Sequence, residues 1–324
     1  MKYLKKYSFL IGFLLLFLVL NKIDFSSLWQ IIKKTDQKLL ILAILLNPVF
    51  LFIKSICWNY LKKIQDIKYK LWDSFLMFNV GVAIGSLTPG RLGEVFKVAY
   101  LKKDGHSLGK SLMTIVLDRL SDFAALAFLG YFGLIIFFGS FYKITLYFGL
   151  AGFVLAGLIL VTKKQIARQV LKKIFSLAVP KKYQEKWQTG FSDFLAGFKA
   201  YKLKNYLFVF LITFSSWIIF YVQMYLFAQS IGLKEISFLS LSVAVTVSGL
   251  VSILPVSLLG IGIRDITLLG LLSPLTQNTE AIILLSQLIL LDYVILGLIG
   301  IISWIFRPIP LSLKTVPQSS ASGD

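Results

Sequence analysis

Long apolar stretches, separated by short basic segments, make up most of the chain. Six of these stretches predict helices that cross a membrane, at residues 7–20, 39–58, 116–138, 144–162, 206–231 and 281–306. A helix of about 20 apolar residues covers the hydrocarbon core of a bilayer. The stretches do not alternate apolar and polar positions, as the strands of a membrane β-barrel would. The pattern therefore predicts an all-α, polytopic integral membrane helical bundle.

Two further apolar stretches, 71–101 and 236–274, are interrupted near their middle. The residues at the breaks are Pro89 and Gly90 in the first stretch, and Pro255, Gly260 and Gly262 in the second. Proline lacks a backbone N–H and glycine adopts conformations closed to other residues, so neither break continues an α-helix. Each arm is also short of a full crossing. We expect two re-entrant elements, the first entering from the cytoplasm and the second from outside.

The predicted topology is thus six full spans and two broken elements. Opposed re-entrant elements are typical of transporters built from inverted repeats, whose site lies near the bilayer midplane. One observation argues against this arrangement. Lysines 22, 33, 34 and 38 would lie outside, contrary to the rule that lysine and arginine stay on the cytoplasmic side. Eight complete crossings are therefore the alternative topology.

Charged residues follow each break and also occur inside one predicted span. A charge at hydrocarbon depth is costly and usually functional. Arginine, moreover, binds phosphate through a planar fork of donors. The candidate substrate-binding residues are Arg91, Glu94, Asp118, Arg119, Asp122, Arg264 and Asp265. The structural alternative is that Arg91 pairs with Glu94, and Arg264 with Asp265 or Asp122, as salt bridges without a ligand.

Composition narrows the chemistry further. The chain is 57% hydrophobic, with a mean hydropathy of +0.80, which is far more apolar than a soluble domain. Its net charge of +19 is explained by cytoplasmic loops and anionic lipid surfaces, so no nucleic-acid partner is expected. Cys57 and His106 are the only cysteine and histidine. We therefore predict no metal site, no cofactor and no catalytic residue of the histidine-triad kind.

The sequence predicts one transmembrane domain over 1–310, followed by a disordered tail over 311–324. Residues 163–204 are the most basic segment, with eleven positive and two negative charges among interleaved aromatic residues. They predict amphipathic helices on the inner leaflet of the cell membrane. A solvated basic loop is the alternative. In this topology both termini lie in the cytoplasm.

Three short motifs together resemble one family. They are Thr-Pro-Gly-Arg-Leu-Gly-Glu at 88–94, Asp-Arg-Leu-Ser-Asp at 118–122, and Gly-Ile-Gly-Ile-Arg-Asp at 260–265. Their order is that of the flippase-like transmembrane region of lysylphosphatidylglycerol synthases, and the likeness covers roughly 5–306. Family members usually end the last motif in Glu, whereas this chain has Asp265. The resemblance implies that the seven candidate residues line a lipid path.

The full synthases also carry a soluble aminoacyl transferase domain, which we do not expect here because about 18 residues follow Phe306. The first hypothesis is therefore a non-enzymatic flippase or transporter. Its partners would be membrane lipids with phosphate head groups, such as an anionic or modified phospholipid or a polyprenyl phosphate. The alternatives are an intramembrane enzyme for head-group modification and a non-catalytic subunit of a separate glycosyl or aminoacyl transferase. The sequence does not predict an oligomeric state.

Overall fold

The computed structural model describes residues 33, 35–86, 88–138, 169, 181–252 and 262–308, without the side chains of 89–92, 131–138 and 181–189. These residues form nine α-helices and one 3-10 helix, and no strand occurs among them. The helices are α1 (Gln37–Ile64), α2 (Leu71–Ser86), the 3-10 helix (Pro89–Phe96), α3 (Lys97–Lys103), α4 (Leu108–Phe138), α5 (Lys181–Ala200), α6 (Leu203–Ser230), α7 (Phe238–Ser252), α8 (Ile263–Leu272) and α9 (Thr279–Phe306). The all-α membrane bundle predicted from the sequence is confirmed.

Helices α1, α6 and α9 are long and apolar enough to cross a bilayer, with 28 residues each. At 1.5 Å per residue, each is about 42 Å long, more than the hydrocarbon core requires. They confirm three predicted spans. The predicted span 116–138 is helical as part of α4, which begins earlier, at Leu108, and its crossing of the membrane stays a prediction. Asp36 starts α1 by accepting hydrogen bonds from the N–H groups of Lys38 and Leu39. The predicted spans 7–20 and 144–162 and the tail 311–324 lie outside the described residues.

The first broken element folds as a helical hairpin. Its two arms, α2 and the 3-10 helix followed by α3, pack so closely that glycine is needed between them. A Cβ at Gly93 would lie 2.5 Å from the carbonyl oxygen of Ile84. The base of the hairpin is closed where Tyr69, before α2, donates a hydrogen bond of 2.6 Å to Asp104, after α3. The prediction that this stretch returns to the end where it begins is confirmed.

The second broken element is also a hairpin, formed by α7 and α8. Its break at 253–261, with Pro255 and Gly260, lies outside the described residues, whereas Gly262 caps α8 with a φ of 83°. Leu241 of α7 and Leu272 of α8 share a buried cluster with Ala281 at the start of α9. Both arms therefore meet the rest of the bundle at the end where α9 begins.

The two hairpins enter the bundle from opposite ends. Helices α1 and α6 run antiparallel, because the N–H of Asp36 donates to the carbonyl of Ser230 (2.9 Å) at one end and Asn205 bonds Tyr60 (2.8 Å) at the other. We call the second of these ends, where α1 and α9 finish and α6 begins, the basic end, and the other the far end. The first hairpin has its base at the basic end, next to Arg307 of the α9 terminus, which pairs with Asp73 of α2 at 2.7 Å.

Helix α5 packs across the basic end. The side-chain nitrogen of Gln65 donates to the carbonyl of Gly197 at 2.8 Å, and Ser107 donates to Asp193. Leu195 is buried in this contact. The described residues 181–200 of the basic segment are therefore helical. Their place on the inner leaflet stays a prediction.

Candidate functional site

Six charged side chains meet inside the bundle near the first hairpin. We call them the charge cluster, and its members are Lys54 of α1, Glu94 of the 3-10 helix, Lys97 of α3, and Asp118, Arg119 and Asp122 of α4. Their side chains are at most 10% exposed, except for that of Arg119, which is 24% exposed. The cluster joins α1, the second arm of the first hairpin and α4, which are separated along the chain.

Asp118 is the centre of the cluster. Its carboxylate accepts from Lys54 at 2.9 Å, from Lys97 at 3.3 Å and from Arg119 at 3.0 Å. Asp122 adds contacts with Lys54 at 2.7 Å and with Arg119 at 2.9 Å. Because every buried cation faces at least two carboxylates, none of these charges is left unpaired in a medium of low dielectric constant.

Glu94 ties the hairpin to α4. Its carboxylate contacts Arg119 at 2.8 Å and Lys97 at 3.0 Å. A 3-10 helix has three residues per turn, which favours placing residues 94 and 97 on one side. A Cβ at Gly85 would lie 2.6 Å from the Glu94 side chain, so the glycine makes room for the buried carboxylate.

The cluster is electrically neutral, with three cations and three carboxylates. Arg119 is its most exposed member and contacts all three carboxylates. In the described part of the chain its Nε atom makes no hydrogen bond. Arg119 is therefore the member of the cluster whose side chain is most accessible.

A second polar layer lies deeper in the bundle. The carboxylate of Asp292 on α9 accepts hydrogen bonds from Asn47 of α1 at 2.7 Å and from Gln223 of α6 at 2.6 Å. All three side chains belong to residues no more than 1% exposed. Asn47 is seven residues from Lys54 on α1, so this layer lies about 10 Å further along the helix than the charge cluster.

A third polar layer belongs to the second hairpin. Arg264 Nε donates to Ser286 Oγ at 2.7 Å, and Ser286 donates to Asp265. The backbone N–H of Gly262 also donates to Asp265, at 2.9 Å, and Arg264 lies 3.8 Å from the same carboxylate. Ser286 is six residues from Asp292 on α9, which places this layer about 9 Å beyond the second.

Four of the predicted site residues thus meet in the charge cluster, namely Glu94, Asp118, Arg119 and Asp122. Arg264 and Asp265 lie together in the third layer, so the alternative pairing of Arg264 with Asp122 is wrong. Pro89 and Gly90 begin the 3-10 helix, as a break there predicts. The side chain of Arg91 lies outside the description, and its pairing with Glu94 stays a prediction.

Sequence reasoning missed Lys54 and Lys97 as members of the cluster, and it missed the whole second layer. Two of these residues carried a usable signal. Lys54 and Asp292 are isolated ionisable residues within apolar spans, which is the pattern that marks a functional or paired group in a membrane protein. Asn47 and Gln223 carried none, because neutral amides are common in helices of many kinds.

The fold and its buried charges define a multi-pass helical membrane protein with polar layers inside the bundle. The family model of the lysylphosphatidylglycerol synthase transmembrane region matches residues 7–307, and the chain belongs to this family. The resemblance drawn from the three motifs is therefore confirmed.

Two relatives are UPF0104 membrane proteins of archaea. The chain is 28% identical over 131 residues to one from Methanocaldococcus jannaschii, a match that covers 38% of this chain and 39% of the relative. It is 28% identical over 137 residues to one from Pyrococcus horikoshii, covering 39% of this chain and 41% of the relative. Each match thus spans about two fifths of the relative's length. No solved structure matches the chain.

Proposed function

We propose that this protein moves a lipid with a phosphate-bearing head group between membrane leaflets, without changing the lipid chemically. The head group would belong to an anionic or modified phospholipid or to a polyprenyl phosphate. The observation that carries the proposal is the charge cluster, which is buried inside the bundle and is followed by two further polar layers along its axis. Lipid tails can stay in the bilayer, so only the head group needs such a path.

Entry begins at Arg119. A phosphate oxygen that approaches this guanidinium competes with Glu94, which holds it at 2.8 Å. The exchange substitutes one anion for another, so no buried cation is left without a partner. Glu94 keeps its second contact, with Lys97, when it leaves Arg119. The resting ion pairs would therefore hold the site assembled without a permanent ligand.

The head group would then pass the second layer and reach Arg264. This arginine is 2% exposed and is placed by the second hairpin, whereas Arg119 is placed by α4. We place the basic end on the cytoplasmic side of the cell membrane, because Lys63, Lys103 and Arg307 gather there. The described helices hold no ATPase fold, and lipid movement in this scheme is passive, ion-coupled or dependent on a partner.

The test is lipid movement in liposomes that contain only the purified protein and a fluorescent phospholipid. Arg119→Ala should slow transfer at least about tenfold, since a buried guanidinium–anion contact is worth more than ~1.4 kcal/mol. Lys234→Ala, which removes an exposed lysine outside the cluster, is the matched control and should transfer at the wild-type rate. Arg119→Lys should rescue poorly, because ammonium lacks the planar fork.

The Glu94→Gln variant tests whether the Glu94 carboxylate competes with phosphate for Arg119 or only stabilises the hairpin. If Glu94 competes with phosphate, the variant should bind lipid more tightly and release it more slowly. Unchanged affinity together with lower thermal stability would mean that Glu94 only holds the hairpin in place. A folded Arg119→Ala variant with wild-type transfer would place the head-group path elsewhere. Recovery of a chemically altered lipid would instead identify an enzyme.

A further inference from the structure

A cavity of about 400 Å³ opens on the outer surface of the bundle at the basic end. It lies between α1, the turn that leads to α2, and the beginning of α6. Lys63, Lys70, Tyr69 and Phe208 are among its walls, and none of the described lining residues belongs to the charge cluster. Its volume is within the range of sites that bind small molecules. The cavity is thus separate from the path proposed above.

The polar half of the cavity is cationic. Lys63 and Lys70 are exposed at its rim, and the described lining includes no carboxylate. Tyr69 adds a hydroxyl that donates to Asp104, and burial together with this hydrogen bond raises the pKa of Tyr69. The tyrosine therefore stays neutral and adds no negative charge. Such a wall favours an anionic ligand.

A buried chain of hydrogen bonds orients one further donor. Lys62 donates to the hydroxyl of Ser74 at 2.7 Å, and this hydroxyl donates to Asn59 Oδ1 at 2.8 Å. Asn59 lines the cavity, and because its oxygen is engaged, its amide N–H₂ group is the part that remains to donate. A phosphate in the cavity would thus meet two ammonium groups and an amide donor.

The apolar half of the cavity continues onto the outer surface of the bundle. Phe208 is 44% exposed and its ring lies 4.5 Å from that of Tyr60. Further along the same two helices, Leu211 of α6 is 61% exposed and Phe52 of α1 is 41% exposed. An exposed apolar surface of this kind faces acyl chains in a membrane. A soluble phosphate has no acyl chains to pack on this surface, whereas a lipid does.

We propose that this cavity binds the head group of an anionic phospholipid from the surrounding bilayer. Lys63 and Lys70 bind its phosphate, and its acyl chains lie along the exposed faces of α1 and α6. Basic pockets between membrane helices hold lipid head groups in this manner. The bound lipid would bridge α1, the α1–α2 turn and α6, and it is distinct from the lipid that is moved through the bundle.

Native mass spectrometry of the full chain, released from detergent with dioleoyl phosphatidylglycerol or dioleoyl phosphatidylcholine, tests the site. Lys63→Ala/Lys70→Ala should weaken phosphatidylglycerol binding about 30-fold, the loss expected for two lysines near an anionic lipid. Phosphatidylcholine has no net charge, because its choline balances its phosphate, so its binding should change much less. The matched control is Lys102→Ala/Lys103→Ala, which removes two lysines at the same end of the bundle but away from the cavity.

A second variant keeps all the charges. Ile56→Trp fills the cavity from α1 and should also remove the bound phosphatidylglycerol. The site is refuted if a folded Ile56→Trp protein keeps that lipid, or if the Lys102→Ala/Lys103→Ala control loses it equally. It is also refuted if inorganic phosphate displaces the lipid at equal concentration. The Arg119→Ala variant should keep this lipid, so failure of the proposed transport function would leave this result unaffected.

Discussion

The charge cluster predicts a strong coupling between Lys54 and Asp118. Their Nζ and Oδ1 atoms are 2.9 Å apart, and the two side chains are 3% and 0% exposed. Lys54→Met leaves the cluster with one excess negative charge, and Asp118→Asn leaves it with one excess positive charge. The double variant is neutral again. Its stability should therefore fall by less than the sum of the two single losses.

The size of this coupling follows from the geometry. At an effective dielectric constant of about 20, two unit charges at this distance attract by ~6 kcal/mol. Each single variant keeps part of the network. In Asp118→Asn, Lys54 still contacts Asp122, and in Lys54→Met, Asp118 still contacts Lys97. Breaking one partner of a buried pair typically costs about 3–5 kcal/mol. We expect each single variant to lose that amount, and the double variant to recover about 2–3 kcal/mol relative to additivity.

The free energies of unfolding of the wild type, the two single variants and the double variant can be measured with sodium dodecyl sulfate in mixed micelles. Labelling of Cys57, the one cysteine of the sequence, reports the unfolded fraction. Cys57 is fully buried, 3.5 Å from Thr213 of α6, so a maleimide should react only after α1 and α6 separate. The matched control is the partly exposed pair Arg307–Asp73, whose atoms are 2.7 Å apart and whose side chains are each 30% exposed. Its coupling should be at most about 1 kcal/mol. A Lys54–Asp118 coupling within about 0.5 kcal/mol of zero would refute the electrostatic account.

Two further predictions concern packing and the third layer. Gly300→Ala should destabilise the protein by about 1–3 kcal/mol, because its Cβ would collide with Ala83 of α2, whereas Gly270→Ala, with open space around it, should be neutral or slightly stabilising. Ser286→Ala should cost about 1–3 kcal/mol by removing the acceptor of Arg264 Nε, and Ser286→Thr should restore it. A thermal unfolding series in one detergent measures all four, and equal midpoints for the two glycine variants would contradict the packing argument.

The hairpins could be predicted from the sequence because their causes are local. Pro89 and Gly90 stop an α-helix whatever surrounds them, and short arms cannot cross a bilayer. The detail that escaped prediction is the 3-10 helix of eight residues after the break. Its geometry depends on close packing against α2, where Gly93 meets the backbone of Ile84. No pattern in the sequence near Gly93 predicts its contact with Ile84.

The charge cluster could be predicted only in part, for a related reason. Asp118 and Asp122 are one turn apart on one helix, so the sequence places them on one side. Their principal partner, Lys54, is 64 positions before Asp118 and reaches it only because α1 packs beside α4. Pairing of this kind is decided by tertiary structure. A single sequence shows that Lys54 needs a partner, but not which one.

The neutrality of the cluster explains how charged residues at this depth are compatible with a stable resting protein. Three cations and three carboxylates, each buried beside its opposite, avoid the unpaired charge that would destabilise the fold by several kcal/mol. Because each cation is already paired, an arriving anion must displace a carboxylate, so anion binding changes the contacts within the cluster. Glu94 is the member whose displacement has structural consequences, since it belongs to the hairpin while Arg119 belongs to α4. Competition for Arg119 would therefore loosen the contact between these two elements and link head-group binding to movement of the first hairpin.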